Sequence, residues 1–494
     1  MTDAAVPSPH TGHPPGLKTL FFTEMWERFS YYGMRALLVL FMVDAVRGGM
    51  GLTDQVATAI YGLYTAGVYL AALPGGWVAD RIIGARRAVL VGGMVIAAGH
   101  FVLAIPSTKT FYLGLLLIVV GTGLLKPNIS ALVGELYPEG GARRDAGFTI
   151  FYMGINIGAT AGPLVCSLLG EKVNWHAGFA AAGIGMVFGV LQFAMFSRNL
   201  GSAGLVSKDQ QPLSPKAKLG LRMSVGAAFG VCLAFASGAW RVDPVSLAKV
   251  MSTVIVGVAV IYFAGLYLFG RLDASEKKRI AIIGLLFLVS ALFWAGFEQA
   301  GSSFNLFAER FTAREFASLT IPAGWFQSIG PILVITLAPL VAWVWVKLAA
   351  RSIEPSLGPK FAVALLFLAA GFAVMAVAAT LAGSAGKVGA QWLIMTYVLH
   401  TLGELCLSPV GLSSVTKLAP ARLVGQMMGI WFLATSLGNL FAGLLAGDAT
   451  AGKDGGLVAN FMKMVWLPVL AAAVLFMLTP FIRRWSESRT TAKA

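Results

Sequence analysis

The chain has 494 residues, 57% of them hydrophobic and only 12% charged, half the charge density of about 25% found in water-soluble domains. Apolar runs recur from end to end, which excludes a soluble enzyme, a coiled coil and a disordered chain and makes the lipid bilayer the expected surroundings. The formal net charge of +15 does not mark a nucleic-acid binder, because Lys and Arg sit in small clusters between apolar runs, not in a basic stretch with interleaved aromatics.

In chain order, residues 1–17 (MTDAAVPSPHTGHPPGL) are rich in Pro, Gly, Ser and Thr and read as a disordered tail, not a cleavable signal peptide. A membrane-crossing helix needs about 20 mainly apolar residues. Fourteen such runs follow, at 18–45, 56–80, 88–105, 110–136, 146–169, 176–197, 218–238, 248–270, 280–304, 321–347, 360–381, 389–416, 424–446 and 458–482. Their length and lack of alternation favour helices over barrel strands. With the N-terminus placed inside, 24 Lys and Arg fall on the inner loops and ends against 10 on the outer ones. That asymmetry predicts a multi-pass protein of the cell (inner) membrane with both termini cytoplasmic.

Polar segments at 197–218 and 271–279 divide the chain. The expected layout is a six-helix bundle (18–199), a linker carrying two extra transmembrane helices (200–279), a second six-helix bundle (280–484) and a cytoplasmic tail (485–494). Two six-helix halves facing a central cavity are a common plan of secondary transporters. The chain has no GxxxxGK[ST], HExxH or GxSxG motif, so neither ATP-driven pumping nor an enzyme is expected. Cys166, Cys232 and Cys406 lie in apolar runs without metal-like spacing and read as small buried thiols.

Charges inside apolar spans are costly and therefore mark function. There are seven: Glu24, Glu27, Arg28 and Arg35 in the first span, Lys126 in the fourth, Glu298 in the ninth and Glu404 in the twelfth. Without the extra pair, these spans are the first helices of the four three-helix units, and all four are expected to line one cavity. Glu24, Glu27, Arg28, Tyr31 and Arg35 fall on one helical face at i, i+3, i+4, i+7 and i+11, with Tyr32 at its edge.

The stretch Glu24-x-x-Glu27-Arg28-Phe29-x-Tyr31-Tyr32-Gly33 resembles the ExxERFxYYG signature of the proton-dependent oligopeptide transporter family, a branch of the major facilitator superfamily. The stretches GWVADRIIGARR (76–87), GTGLLKPNIS (121–130), FYMGINIGA (151–159), FWAGFEQAGSSFN (293–305) and GELCLSPVGLS (403–413) are similar to it as well. The resemblance implies an all-α major facilitator fold with two six-helix bundles plus a two-helix insertion, and a proton-coupled symporter importing di- and tripeptides by alternating access. Alternatives are a carrier of another small anion or nitrogen compound on the same scaffold, or a membrane receptor that binds peptide without transporting it.

A peptide carries an ammonium and a carboxylate, so a site tolerant of many side chains must grip both ends. Arg35 and Lys126 are the candidate cations, Glu298 is the anion, and Asn156 is a neutral hydrogen-bonding neighbour. Tyr32, Tyr69, Trp294, Trp325, Ser408 and Trp431 are the expected walls. By resemblance, an Arg35–Glu298 bridge closes the outer side and a Lys126–Glu404 bridge the inner side, while Glu24, Glu27, Arg28 and Glu298 couple transport to protons. The partners expected are a small-molecule substrate, protons and the bilayer; no cofactor beyond the proton gradient, no metal and no nucleic acid are expected, and one chain suffices. One departure stands out: Gly330 replaces the Asn usual in the family, with Gln327 one turn away.

Overall fold

The computed structural model describes residues 12–205, 223, 242–316, 318–351, 353, 355–450 and 456–487. It is almost entirely helical. The first half comprises α1 (Pro15–Val43), α2 (Asp54–Val78), α3 (Ala85–Leu103), α4 (Thr108–Glu135), α5 (Gly141–Lys172) and α6 (Trp175–Phe196). Then come α7 (Pro244–Phe269), α8 (Ala274–Phe297), the short α9 (Ser303–Phe311), α10 (Ile329–Ala350), α11 (Leu357–Ala385), α12 (Gln391–Leu418), α13 (Val424–Thr450) and α14 (Gly456–Glu487). Among the described residues 12 helical segments are long and apolar enough to cross a membrane. The charged α1, at 29 residues, is equally long. The expected span at 218–238 lies outside the described residues apart from Met223, as does Cys232.

The helices begin where local chemistry allows. Pro15 opens α1, where its missing N–H costs nothing. Thr53, Asn174 and Asp243 accept backbone N–H groups at the starts of α2, α6 and α7, and Asp273 with Glu276 forms a full capping box at α8. A helical turn, Ala79–Ile83, prolongs α2, and the reversal into α3 is made at Gly84 with φ 80°, a conformation that side chains disfavour.

Two expected boundaries shift. The tail drawn at 1–17 is helical from Pro15 onward, with Leu17 buried at 3% exposure. Just before it, His13 Nδ1 meets the Tyr137 hydroxyl at 2.7 Å and Arg143 donates to the Gly12 carbonyl. Proline fixes the first turn and Leu17 anchors it, so composition alone placed the helix start too late; residues 1–11 lie outside the described set. At the other end α14 runs through Trp485 to Glu487, three residues into the expected tail. Residues up to Leu205 also dock on the first bundle. Arg86 donates to the carbonyls of Gly201 and Ala203, and Glu135 accepts the Gly204 N–H.

Within the first bundle, α1 lies along α5 on a glycine seam. A Cβ at Gly158 would run into the Met25 carbonyl oxygen, one at Gly162 into that of Phe29, and one at Gly33 would stand 2.5 Å from Cys166 Sγ. Small residues let backbones touch where lipid supplies no hydrophobic drive. α2 and α4 meet likewise at Gly75 and Gly123, which brings Tyr69 of α2 over Lys126 of α4. α7 lies against both halves: its Ala248, Ile255 and Ala259 pack with Ala59 and Ala66 of α2 and with α8 and α13, and Tyr262 donates to Gln426 at 2.7 Å. The outward faces of α7 and α10 carry exposed Val250, Val254, Ile261, Leu340 and Trp343, an apolar belt that only lipid satisfies.

These contacts separate two kinds of glycine. Gly158→Val should lower the thermal unfolding midpoint in detergent, since overpacking costs about 1–3 kcal/mol. Gly257→Ala in α7, where a Cβ meets nothing within 4 Å, should leave the midpoint unchanged or raise it slightly.

Candidate functional site

Lys18 in the first turn of α1 is exposed, but the four charged residues further along are buried: Glu24 at 1%, Glu27 at 0%, Arg28 at 5% and Arg35 at 6% exposure. The helical spacing therefore delivers them to one interior face. Arg28 Nε donates to Glu24 Oε1 at 2.7 Å and stands 3.1 Å from Glu27 Oε2. One guanidinium nitrogen thus serves two carboxylates. Glu24 Oε2 and both Glu27 oxygens have no hydrogen-bond partner among the described residues. Buried polar atoms are seldom left so.

Two turns further, Arg35 crosses from the first half to the second. Its Nη2 pairs with Glu298 Oε2 at 2.6 Å and its Nε donates to the Tyr61 hydroxyl at 2.6 Å. The guanidinium also lies 5.5 Å from the Tyr32 ring centre and 5.6 Å from that of Tyr61, a cation–π cradle on a charge shielded from water. Glu298 sits where the helix breaks. The span expected as continuous over 280–304 ends at Phe297, makes one tight turn at Glu298–Gly301, and resumes as α9. A Cβ at Gly301 would strike the Tyr61 hydroxyl, so the turn and the Tyr61–Arg35 bond fit only with glycine there.

Lys126 makes no ion pair among the described residues; its Nζ lies 3.9 Å from the centre of the Tyr69 ring. Glu404 and Ser408 line a cleft of ≈ 1490 Å³ between the halves, with Tyr152 and Ile155 of α5, Trp345 of α10 and Lys417 of α12. The cleft reaches the side where α14 ends, here the terminal side, as Arg483 and Ser486 in its lining show. Of the two expected bridges, Arg35–Glu298 is formed and Lys126–Glu404 is not. Pro409 lies within α12 beside Ser408, where its missing N–H weakens the ladder.

The expected walls divide. Tyr32 and Tyr69 flank the cations as described. The Trp294 Nε1 and Ser408 Oγ donors are buried and without a partner among the described residues, while the Asn156 amide donates to the Tyr152 carbonyl at 2.9 Å. Trp325 donates to the Leu164 carbonyl at 2.8 Å across the halves, and Trp431 wedges against Gly411 in the seam of α12 and α13. Both are engaged in packing.

Sequence reasoning missed the closure of the far side. There Arg310 pairs with Asp54 through two contacts of 2.5 and 2.7 Å, Arg47 reaches Glu309 at 3.3 Å, and Arg314 bridges Glu309 at 2.5 Å and Glu171 at 3.4 Å. Each of these charges lies at a span end, where a solvated side chain is the default reading. Only the fold brings opposite signs together.

Two helical bundles that enclose buried charges, sealed on one side and open on the other, define a membrane transporter of the major facilitator type. The POT family model matches residues 86–459, and the chain belongs to that family. It is 44% identical over 486 residues to the peptide transporter YePEPT of Yersinia enterocolitica subsp. palearctica serotype O:3, covering 96% of this chain and 95% of that one. The di-/tripeptide transporter of Lactococcus lactis subsp. cremoris is 37% identical, covering 86% of this chain and 87% of its own. Among solved structures, a peptide transporter POT in complex with sulfate superposes with a TM-score of 0.88 at 40% identity over 97% of both chains. A POT family transporter in complex with 5-aminolevulinic acid gives 0.87 at 32% identity over 96% of this chain and 98% of that one.

The Arg35 geometry yields a measurable consequence. Tyr61→Phe leaves the buried Arg35 Nε without its acceptor, a loss of about 1–3 kcal/mol to the closed far side. A thiol introduced at the far mouth should therefore react faster with an impermeant reagent in the variant than in the otherwise identical parent.

Proposed function

We propose that the protein is a proton-coupled symporter that imports di- and tripeptides by alternating access, working as a monomer in the cell (inner) membrane with both termini cytoplasmic. The orientation follows from the Lys and Arg bias of the loops, which makes the terminal side cytoplasmic and the far side the outer one. The observation that carries the reading is the asymmetry of the two gates. Arg35–Glu298 is shut at 2.6 Å, whereas Lys126 rests on the Tyr69 ring and Glu404, unbridged to it, lines the open cleft. The peptide-transporter names of the relatives support the same substrate class.

In this reading the structure is the inward-facing state. A peptide arriving from outside places its ammonium against Glu298 and its carboxylate against Arg35 and Lys126, competing for the charges that make the gates. Trp294 Nε1 and Ser408 Oγ supply unspent donors for peptide carbonyls. The Glu24, Glu27 and Arg28 cluster, with one cation serving two acids, is the proton-loading group. A carboxylate that alternates between an ion pair and a dry unpaired state changes its proton affinity, and so links the proton to the change of shape.

A second reading rests on Gly330. A Cβ there meets nothing within 4 Å, so the side chain that the family resemblance supplies is replaced by space. A smaller or non-peptide zwitterion could then be the preferred cargo, and a relative was solved with 5-aminolevulinic acid.

Uptake into proteoliposomes with an imposed inward proton gradient tests both readings. Labelled dialanine should accumulate against its gradient and be displaced by other dipeptides; displacement by 5-aminolevulinic acid but not by dipeptides would favour the second reading. In Glu27→Gln, uphill accumulation should vanish while exchange of peptide for peptide, which moves no net proton, persists. Preserved accumulation would remove Glu27 from the coupling group.

A further prediction concerns the substrate's ends. Lys126→Ala should weaken binding of peptides with a free carboxylate more than of their C-terminal amides, by on the order of tenfold for a lost charge-assisted contact. Equal losses would assign Lys126 to gating alone.

A further inference from the structure

The last three turns of α5 form a continuous seam with the tight helical segment Ala323–Ser328 of the other half. Ser328 Oγ donates to the Thr160 carbonyl at 2.8 Å and Trp325 Nε1 to the Leu164 carbonyl at 2.8 Å. A Cβ at Gly324 would strike Ser167 Oγ, and the Glu171 carboxylate accepts both the Ala323 N–H at 2.7 Å and the Gly324 N–H at 2.9 Å. Residues 160, 164, 167 and 171 are spaced four, three and four apart, so they share one face of α5. Every contact in the seam joins the two halves on the far side.

Glu171 is the only acid in this seam among the described residues, and its side chain is 3% exposed. The charged groups facing it are Arg314, whose Nη1 lies 3.4 Å away, and Glu309, which takes the other arm of Arg314 at 2.5 Å. Lys172 ends the helix and Val173, 67% exposed, follows it. The carboxylate therefore lies just inside the far mouth, a short opening away from water. As an anion it accepts two backbone N–H groups and pairs with a guanidinium. As a neutral acid it loses the ion pair and turns one acceptor oxygen into a donor that neither N–H can use.

We infer that Glu171 is a second proton-responsive carboxylate, distinct from the α1 cluster and Glu298: ionised, it pins the outer side shut, and protonation from the outside releases the seam. The role is that of a positioning residue, acting on the gate through the backbone of Ala323 and Gly324. It rests on the reading of the far side as the outer gate of a proton-coupled carrier.

The test is a distance measurement between spin labels at Val46→Cys and Leu319→Cys, exposed far-side positions on opposite halves, in nanodiscs and without native cysteines. From about pH 7.5 to about pH 4.5, reaching the ordinary range of a glutamate carboxyl, the far-side-open population should grow in the parent. Glu171→Gln should raise that population on the order of tenfold at the higher pH and make its pH response shallower. Ser328→Ala, which cuts the same seam without removing an acid, should raise the open population yet keep the parental slope. Glu171→Gln following the parental slope, or Ser328→Ala flattening it equally, overturns the proposal. A parent that never opens at any pH or with peptide present overturns alternating access itself, and the proposal with it.

Discussion

A charge held away from water is costly unless paired, and of the seven charges set inside the apolar spans of this protein four are acids and three are cations. Glu24, Glu27, Glu298 and Glu404 face Arg28, Arg35 and Lys126, so four carboxylates share three cations. No one-to-one pairing satisfies them all. In the observed state Arg28 is divided between two acids, Arg35 is committed to Glu298, Lys126 rests on an aromatic ring, and Glu404 faces the open cleft. The shortage of cations is what a proton can relieve, because protonating one acid balances the set without adding a residue. The same shortage makes a zwitterionic cargo useful, since its two ends can occupy whichever charges a given state leaves over.

That electrostatic competition works only on a scaffold with discrete alternative positions. Within the first half, the glycine seams of α1 with α5 and of α2 with α4 hold the helices as one body at backbone contact. Between the halves, α2 and α13 also meet at glycines, Gly62 against Gly443, with Ser436 donating to the Ala66 carbonyl at 3.1 Å. A smooth small-residue crossing of this kind can serve as a pivot, whereas the far-side seam is built from directional hydrogen bonds that are either made or broken. Rigid halves, a smooth crossing and a directional latch together convert a local change of charge into a change of which side is open.

Much of this was legible in the sequence because membranes impose a simple rule on composition. Thirteen of the fourteen expected spans correspond to described helices, since about 20 apolar residues admit no other backbone solution in lipid. The embedded charges announced themselves by being out of place, and their 3.6-residue spacing gave the shared face of α1. What the sequence did not yield is the part that depends on side chains from distant segments. Asp54, Glu171, Glu309, Arg310 and Arg314 lie at span ends, where charge is unremarkable, and their partners are set by the docking of the halves. The break at Glu298 was hidden as well, because FWAGFEQAGSSFN holds no proline to mark it and its turn is dictated by the close approach of Tyr61 to Gly301. The packing contacts of Trp325 and Trp431 were not legible either, because an indole in an apolar run carries no mark of what it packs against.

The strength of the closed gate follows from the same physics that creates it. A buried ion pair regains in Coulomb energy roughly what its charges lose in hydration, so its net worth is small even when breaking it by deleting one partner is costly. Arg35–Glu298, with both side chains under 10% exposed, is therefore well suited to a gate that must open on every cycle. It is specific in geometry without being a deep energetic trap. The far-side ring of Arg47, Asp54, Glu309 and Arg310 is partly hydrated and contributes still less per pair. A carrier must keep its two states within a few kcal/mol of each other, because a ligand shifts an equilibrium only by its differential affinity. Polar contacts that nearly balance, set beside the apolar cluster that joins Leu37, Leu40 and Phe41 to Phe304, Phe307 and Phe326, keep the far side closed in this state without making it a deep energetic trap.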